Sequence, residues 1–145
     1  ALGSVIADVV RALQSDIEDK SVRLTRSDET LTVEADEQFL RQVLFNLLLN
    51  AIQAVDANGE VRIVAKKSGP SEAFLEVRDN GPGVALEQRK EIFKPYFTTH
   101  QKGTGLGLAV VQQIVLAHGW EIECVPNENR GAIFRVSRMP LTSKA

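Results

Sequence analysis

The stretch "FLRQVLFNLLLNAIQAV" is the strongest constraint on how this chain can fold. Its spacing predicts a helix from an Asp36 N-cap through about Val55. Phe39, Leu40, Val43, Leu44, Leu47, Leu48 and Ile52 make that helix apolar on three sides. So wide an apolar surface has to be covered by other elements, which puts the helix inside a layered domain. Gln42, Asn46, Asn50 and Gln53 interrupt it at intervals of four, four and three, and so form one stripe. Asparagine is a mediocre helix former, so two in one stripe of a buried helix need a reason. Two readings are open. The amides bond nearby backbone, or their carbonyl oxygens face a hard cation. Mg²⁺ prefers oxygen ligands, keeps several waters, and is often held by few protein groups plus substrate phosphates.

The rest of the chain supplies covering elements. Residues Ser4 to Asp19 carry Val5, Ile6, Val9, Val10, Leu13 and Ile17 at helical spacing. The first four residues, "ALGS", are set aside from the fold. "SVRLTR" and "LTVEAD" read as two short strands joined by a polar turn, "SDET". After the long helix come a turn at "DANG", the strand "EVRIVAKK", a loop at "SGPSE" and the strand "AFLEVRD". Asn80 to Lys102 reads mostly as loop, with a brief helical segment near Glu87 to Phe93. A helix from about Gly105 to His118 is closed by Gly119 as its C-terminal cap. "EIECVP" and "AIFRVSRMP" form a last hairpin through "NENRG". There is no internal repeat, linker or low-complexity segment. The expectation is a single α+β domain over residues 1–145, a two-layer α/β sandwich. About three helices lie on one face of a mixed, mostly antiparallel sheet.

Composition narrows the function. At 145 residues one core suffices. A net charge of −2 gives no reason to expect nucleic acid or an anionic membrane as partner. The single cysteine, Cys124, cannot close an internal disulfide, which suits a reducing compartment. Apolar runs such as "LLL" and "LAVV" are far short of the ~20 residues of a membrane span, and no signal peptide is evident.

Two glycine-bearing stretches carry the chemistry. In "AFLEVRDNGPGV", Leu75, Val77 and Asp79 share one face of a strand and Phe74, Glu76 and Arg78 the other. A carboxylate thus ends an apolar row, with Gly81 and Gly83 directly after it. In "KGTGLGLAVV", Gly103, Gly105 and Gly107 stand at the start of a helix. Unpaired N–H groups and the helix dipole favour an anion there, and glycine lets it come close. The pattern is not a Walker A loop, and no strand precedes it as a dinucleotide fingerprint requires. A glycine-rich helix start needed only for packing is the other reading. Between Val84 and Lys102, the bases Arg89, Lys90, Lys94 and Lys102 outnumber the acids Glu87 and Glu91. A locally basic lid would stabilise a triphosphate and exclude water.

The order of these features resembles the ATP-binding catalytic domain of sensor histidine kinases, within the superfamily of Hsp90, gyrase B and MutL (the Bergerat fold). The resemblance covers nearly the whole chain. Its N box is "NLLLNA", its G1 box "DNGPGV", its F box "IFKPYF" and its G2 box "GTGLGLA". It implies ATP and Mg²⁺ as cofactors. Asp79 would accept a hydrogen bond from the adenine amine, with Gly81, Gly83 and Val84 beside it. Asn50 would be the Mg²⁺ ligand, with Asn46 and Gln53 on the same stripe. Phe93, Lys94, Tyr96, Thr98 and Thr99 match the lid. Lys102, Gly103, Thr104, Gly105, Leu106, Gly107 and Leu108 match the phosphate-binding turn. Asn50 and Lys102 would carry the catalytic role.

Asn46 also selects within the superfamily. Relatives resembling Hsp90 and gyrase carry a water-activating glutamate there, and a neutral amide cannot act as a general base. The γ-phosphoryl would then be kept for a better nucleophile. The resemblance implies transfer to a histidine on the kinase's own dimerisation domain, absent here, and onward to a response-regulator receiver domain. It further implies a cytoplasmic location, a monomeric isolated domain and a homodimeric full-length kinase. His100 stands where lysine is common, Gln53 where a basic residue is common, and Trp120 where a second glycine is frequent. The "FTT" ending resembles the kinases of nitrogen metabolism and related transcription systems. Rival readings are an anti-sigma-factor-type protein serine kinase and a non-catalytic nucleotide-binding module.

Overall fold

The structure, a computed structural model, describes residues 1–83, 93, 107–126 and 130–142. The central helix forms as its sequence dictates. It is α3, Glu37–Ala54, and the Asp36 carboxylate accepts from the Gln38 and Phe39 N–H groups at its start. Leu40, Val43, Leu44, Leu47, Leu48, Ala51 and Ile52 are all buried. Burying each such leucine stabilises the fold by roughly 1.5–3 kcal/mol. Phe39 is the exception, 48% exposed and in edge contact with the His118 ring.

The amino-terminal segment forms two helices where one was expected. They are α1, Leu2–Ala12, and α2, Gln14–Asp19, with a break at Leu13. The residues set aside also prove to be structural. Leu2 is buried and its N–H donates to the Leu31 carbonyl at 3.0 Å. Helix α1 is fastened to α3 by Arg41, whose guanidinium lies 2.6 Å from Asp8.

The five-stranded sheet comprises β1, Arg23–Asp28; β2, Glu60–Lys67; β3, Glu72–Asp79; β4, Glu121–Pro126; and β5, Ala132–Pro140. Its order is β1-β2-β3-β5-β4. Strands β1 and β2 are parallel and the other three pairs antiparallel. The expected hairpin of "SVRLTR" with "LTVEAD" does not form. The alternating Leu31 and Val33 mimic a strand, but Leu31 goes into the core and Val33 makes an isolated bridge to Leu141. The Glu34 N–H and the Thr32 carbonyl are taken up by Pro140 and Thr142, so the segment crosses to the end of β5.

Helix α4, Gly107–Ala117, packs on α3 and ends as expected at Gly119, with φ +76°. The Gly119 N–H donates to the Leu116 carbonyl and the Trp120 N–H to the Val115 carbonyl, a Schellman closure. Leu75, Val77, Ile63, Phe134 and Val136 meet the helices from the sheet's inner face. Among the described residues four helices, against about three expected, thus cover one face of a mixed sheet. No helix among the described residues is long and apolar enough to cross a membrane.

Candidate functional site

Strand alternation puts Asp79 on the inner face with Leu75 and Val77, and all three are at most 2% exposed. The Asp79 Oδ1 accepts from the Gly81 N–H at 2.9 Å and the Ala132 N–H at 3.3 Å. The carboxylate is thereby oriented by backbone donors of two segments. Gly81 is required for a steric reason: a Cβ there would lie 2.6 Å from the Ala54 carbonyl oxygen of α3. Gly83 has φ +80°, a left-handed conformation that favours glycine. Asn80 locks the same turn from outside. Its Oδ1 accepts from the Glu60 N–H at 2.9 Å, and its own N–H donates to the Glu60 carbonyl at 3.2 Å.

The last glycine of the other motif meets α3 at mid-helix. Gly107, the first residue of α4, lies against Asn46, whose Oδ1 would be 3.8 Å from a Cβ placed on it. Helix α3 therefore spans the two motifs. The Asp79 turn abuts Ala54, and the glycine-rich helix start abuts Asn46. At 1.5 Å rise per residue these points are roughly 12 Å apart along the axis, with Asn50 midway.

Asn46 and Asn50 are half-buried. No hydrogen bond joins either carboxamide to a described residue, so the reading in which they satisfy nearby backbone finds no support there. Gln53 is exposed near the end of α3. Phe93 is 6% exposed and stacks edge-on against Phe134 with ring centroids 6.2 Å apart, which places it in the core. Leu108 packs against the core. Val84, Lys94, Tyr96, Thr98, Thr99, Lys102, Gly103, Thr104, Gly105 and Leu106 lie outside the described residues, as does His100.

The structure adds a residue that the sequence did not reveal. Gly131, with φ +105°, approaches the backbone of Asp79 and Asn80 so closely that no side chain fits between them. His118 has a capping role at the end of α4. Its Nδ1–H donates to the Ile114 carbonyl at 2.8 Å and its Nε2 accepts from the Asp36 N–H at 3.4 Å. Trp120 stacks on it at 4.3 Å and is 2% exposed, a packing role.

The family of histidine kinase-, DNA gyrase B- and HSP90-like ATPases matches residues 35–143, and the chain belongs to that family. The sensor histidine kinase ZraS of Salmonella typhimurium is 41% identical over 137 residues, covering 93% of this chain and 30% of that protein. The chain thus spans under a third of that relative's length. The catalytic domain of histidine kinase ThkA superposes with a TM-score of 0.85 at 33% identity, covering 96% of this chain and 93% of that one. Full-length ShkA in complex with AMPPNP gives a TM-score of 0.89 at 28% identity, covering 100% of this chain and 31% of that one. ThkA in complex with the response regulator TrrA gives 0.84 at 29%, covering 98% and 41%.

Proposed function

We propose that this chain is the ATP-binding catalytic domain of a longer sensor histidine kinase on the cytoplasmic side. In this reading it binds Mg·ATP and passes the γ-phosphoryl group to a histidine on the kinase's own dimerisation domain, from which a response regulator receives it. The observation that carries the reading is the pair of contacts along α3: Gly81 on Ala54 and Gly107 on Asn46. A buried carboxylate thus lies at the C-terminal end of α3, and the first residue of α4 lies about two turns back, at mid-helix.

The roles follow from this layout. Asp79, held by two backbone N–H groups, is a directional acceptor for an exocyclic amine. ATP fits that acceptor and GTP does not, because guanine presents a carbonyl at the equivalent ring position. Asn50, half-buried and without a described hydrogen bond, is suited to bind Mg²⁺ through its carbonyl oxygen. No group of three His, Cys, Asp or Glu able to hold a metal occurs among the described residues. A single neutral ligand fits a site in which the nucleotide phosphates supply the remaining charge. When bound, the cation neutralises charge on the phosphates. The chain's own contribution is to position, since phosphoryl transfer needs mainly alignment and charge neutralisation. Asn46 lies one turn from Asn50 and cannot take a proton from water, which preserves ATP for a protein acceptor.

The test is incubation with γ-labelled ATP, with and without the histidine-bearing dimerisation domain of the same kinase. The chain alone should bind Mg·ATP, hydrolyse it slowly and remain unlabelled. Added partner should acquire an acid-labile, base-stable label. Rapid phosphate release or strong labelling of this chain by itself would sink the proposal. An acid-stable label on a serine partner would instead favour the anti-sigma type of kinase.

A further inference from the structure

The face of the sheet turned away from the helices carries a second constellation. Arg62 on β2 and Arg78 on β3 are direct partners across the antiparallel ladder, and Thr25 on β1 is in register with Arg62. Together with Arg23, Glu60 and Asn80 they line a groove of about 350 Å³. Arg78 follows Val77 and precedes Asp79, so the groove lies behind the inner-face carboxylate, on the opposite side of the strand.

The carboxylates nearby are already engaged. Glu60 pairs with Arg23 at 2.6 Å. Glu76 is shared by Arg78 at 2.7 Å and Arg135 at 2.5 Å. The Arg62 side chain makes no ion pair or hydrogen bond with a described residue. Like charges directly opposite one another on one face of a ladder destabilise it. Exposed Arg62 covers no core that would account for the arrangement. Arg62 presents a whole planar donor fork, and Arg78, whose Nε and Nη2 donate to Glu76 at 3.0 and 2.7 Å, keeps its remaining Nη donors for an oxyanion. The Thr25 hydroxyl adds a donor in the same row.

We propose that this groove binds a compact oxyanion, a carboxylate or phosphate group held between the Arg62 and Arg78 guanidiniums. The proposed nucleotide site is built on the inner side of the sheet, whereas this groove, which touches the end of β3 at Asp79, is lined by the outward-facing arginines.

The test is titration of the ¹⁵N-labelled chain with citrate and, separately, inorganic phosphate at constant ionic strength, observing the arginine Nε–H signals by NMR. At least one anion should give saturable shifts of Arg62 and Arg78. R62Q, which removes an exposed side chain, should keep the melting temperature and weaken that binding at least tenfold. T25V should weaken it by a smaller factor. Response to citrate alone assigns a carboxylate site, and response to phosphate alone a phosphate site. Absence of saturable shifts with both anions, or unchanged affinity in R62Q, overturns the proposal.

Discussion

A Cβ added to Gly131 would lie 1.9 Å from the backbone oxygen of Asp79, and 2.9 Å from the Cα of Asn80. The start of β5 and the end of β3 are therefore in backbone contact directly beneath the carboxylate. The Ala132 N–H bonded to Asp79 comes from the same place. Gly131→Ala cannot be accommodated without moving one strand end. The strained φ of +105° alone costs roughly 1–3 kcal/mol. Urea denaturation should show a loss of at least that size, and calorimetry a weaker ATP affinity. A variant with unchanged stability and affinity would show that the approach is not maintained in solution.

Gly131 was illegible in the sequence for a physical reason. "NENRG" looks like an ordinary hairpin turn, and the contact that demands glycine is made by a segment some fifty residues earlier. Local signals fared better. The α3 N-cap, the Gly119 closure and the β2–β3 hairpin all follow from nearby residues. What failed depended on distant partners. "LTVEAD" has strand periodicity, but its partner is the end of β5 rather than β1, and there it makes only the Val33–Leu141 bridge. Leu2 looked dispensable because nothing local shows that Leu31 receives its N–H. In the site, Asp79 and the asparagine stripe were readable from strand and helix periods. The contacts of Gly81 with Ala54 and Gly107 with Asn46 required the fold.

Asp79→Asn should weaken ATP binding by roughly 1.5–3 kcal/mol, the worth of a charge-assisted hydrogen bond. The Gly81 and Ala132 N–H groups will hold the carbonyl oxygen of the replacement. Its NH₂ then opposes the adenine amine, donor against donor. Isothermal titration with ATP and GTP checks this, and the ATP preference should collapse. Unchanged affinity and preference would mean that Asp79 does not read the base.

Glu76 makes stability depend on acid. It is 1% exposed on the sheet's outer face. Burial pushes its carboxyl upward, but hydrogen bonds from Arg78 and Arg135, with their charges, outweigh this and leave it below the ordinary range. A depressed folded value contributes stability above the unfolded carboxylate pKa of about 4.3 and loses it as pH falls toward the folded value. Melting temperature should therefore drop on acidification below that range. Glu76→Gln should flatten part of the drop and destabilise the protein at neutral pH. About 1–3 kcal/mol is expected, less than for a fully buried pair, because both arginines are about a third exposed. An acid limb identical in the two proteins would assign it to other carboxylates.

Asn50→Ala separates a ligand from a structural residue. The side chain is half-buried, and no hydrogen bond to a described residue is lost with it. Alanine is also the better helix former, by a few tenths of a kcal/mol or more. Thermal stability should thus hold or rise, which a structural asparagine would not allow. If the amide oxygen binds the cation, ATP affinity with Mg²⁺ should fall, and phosphoryl transfer to the dimerisation domain should be lost. Affinity for ADP in EDTA should change little, because Asp79 and its supporting turn are untouched. Titrations with and without Mg²⁺, run beside a melting curve, distinguish the cases. Equal losses under both conditions, with a lower melting temperature, would return Asn50 to a purely structural role in α3.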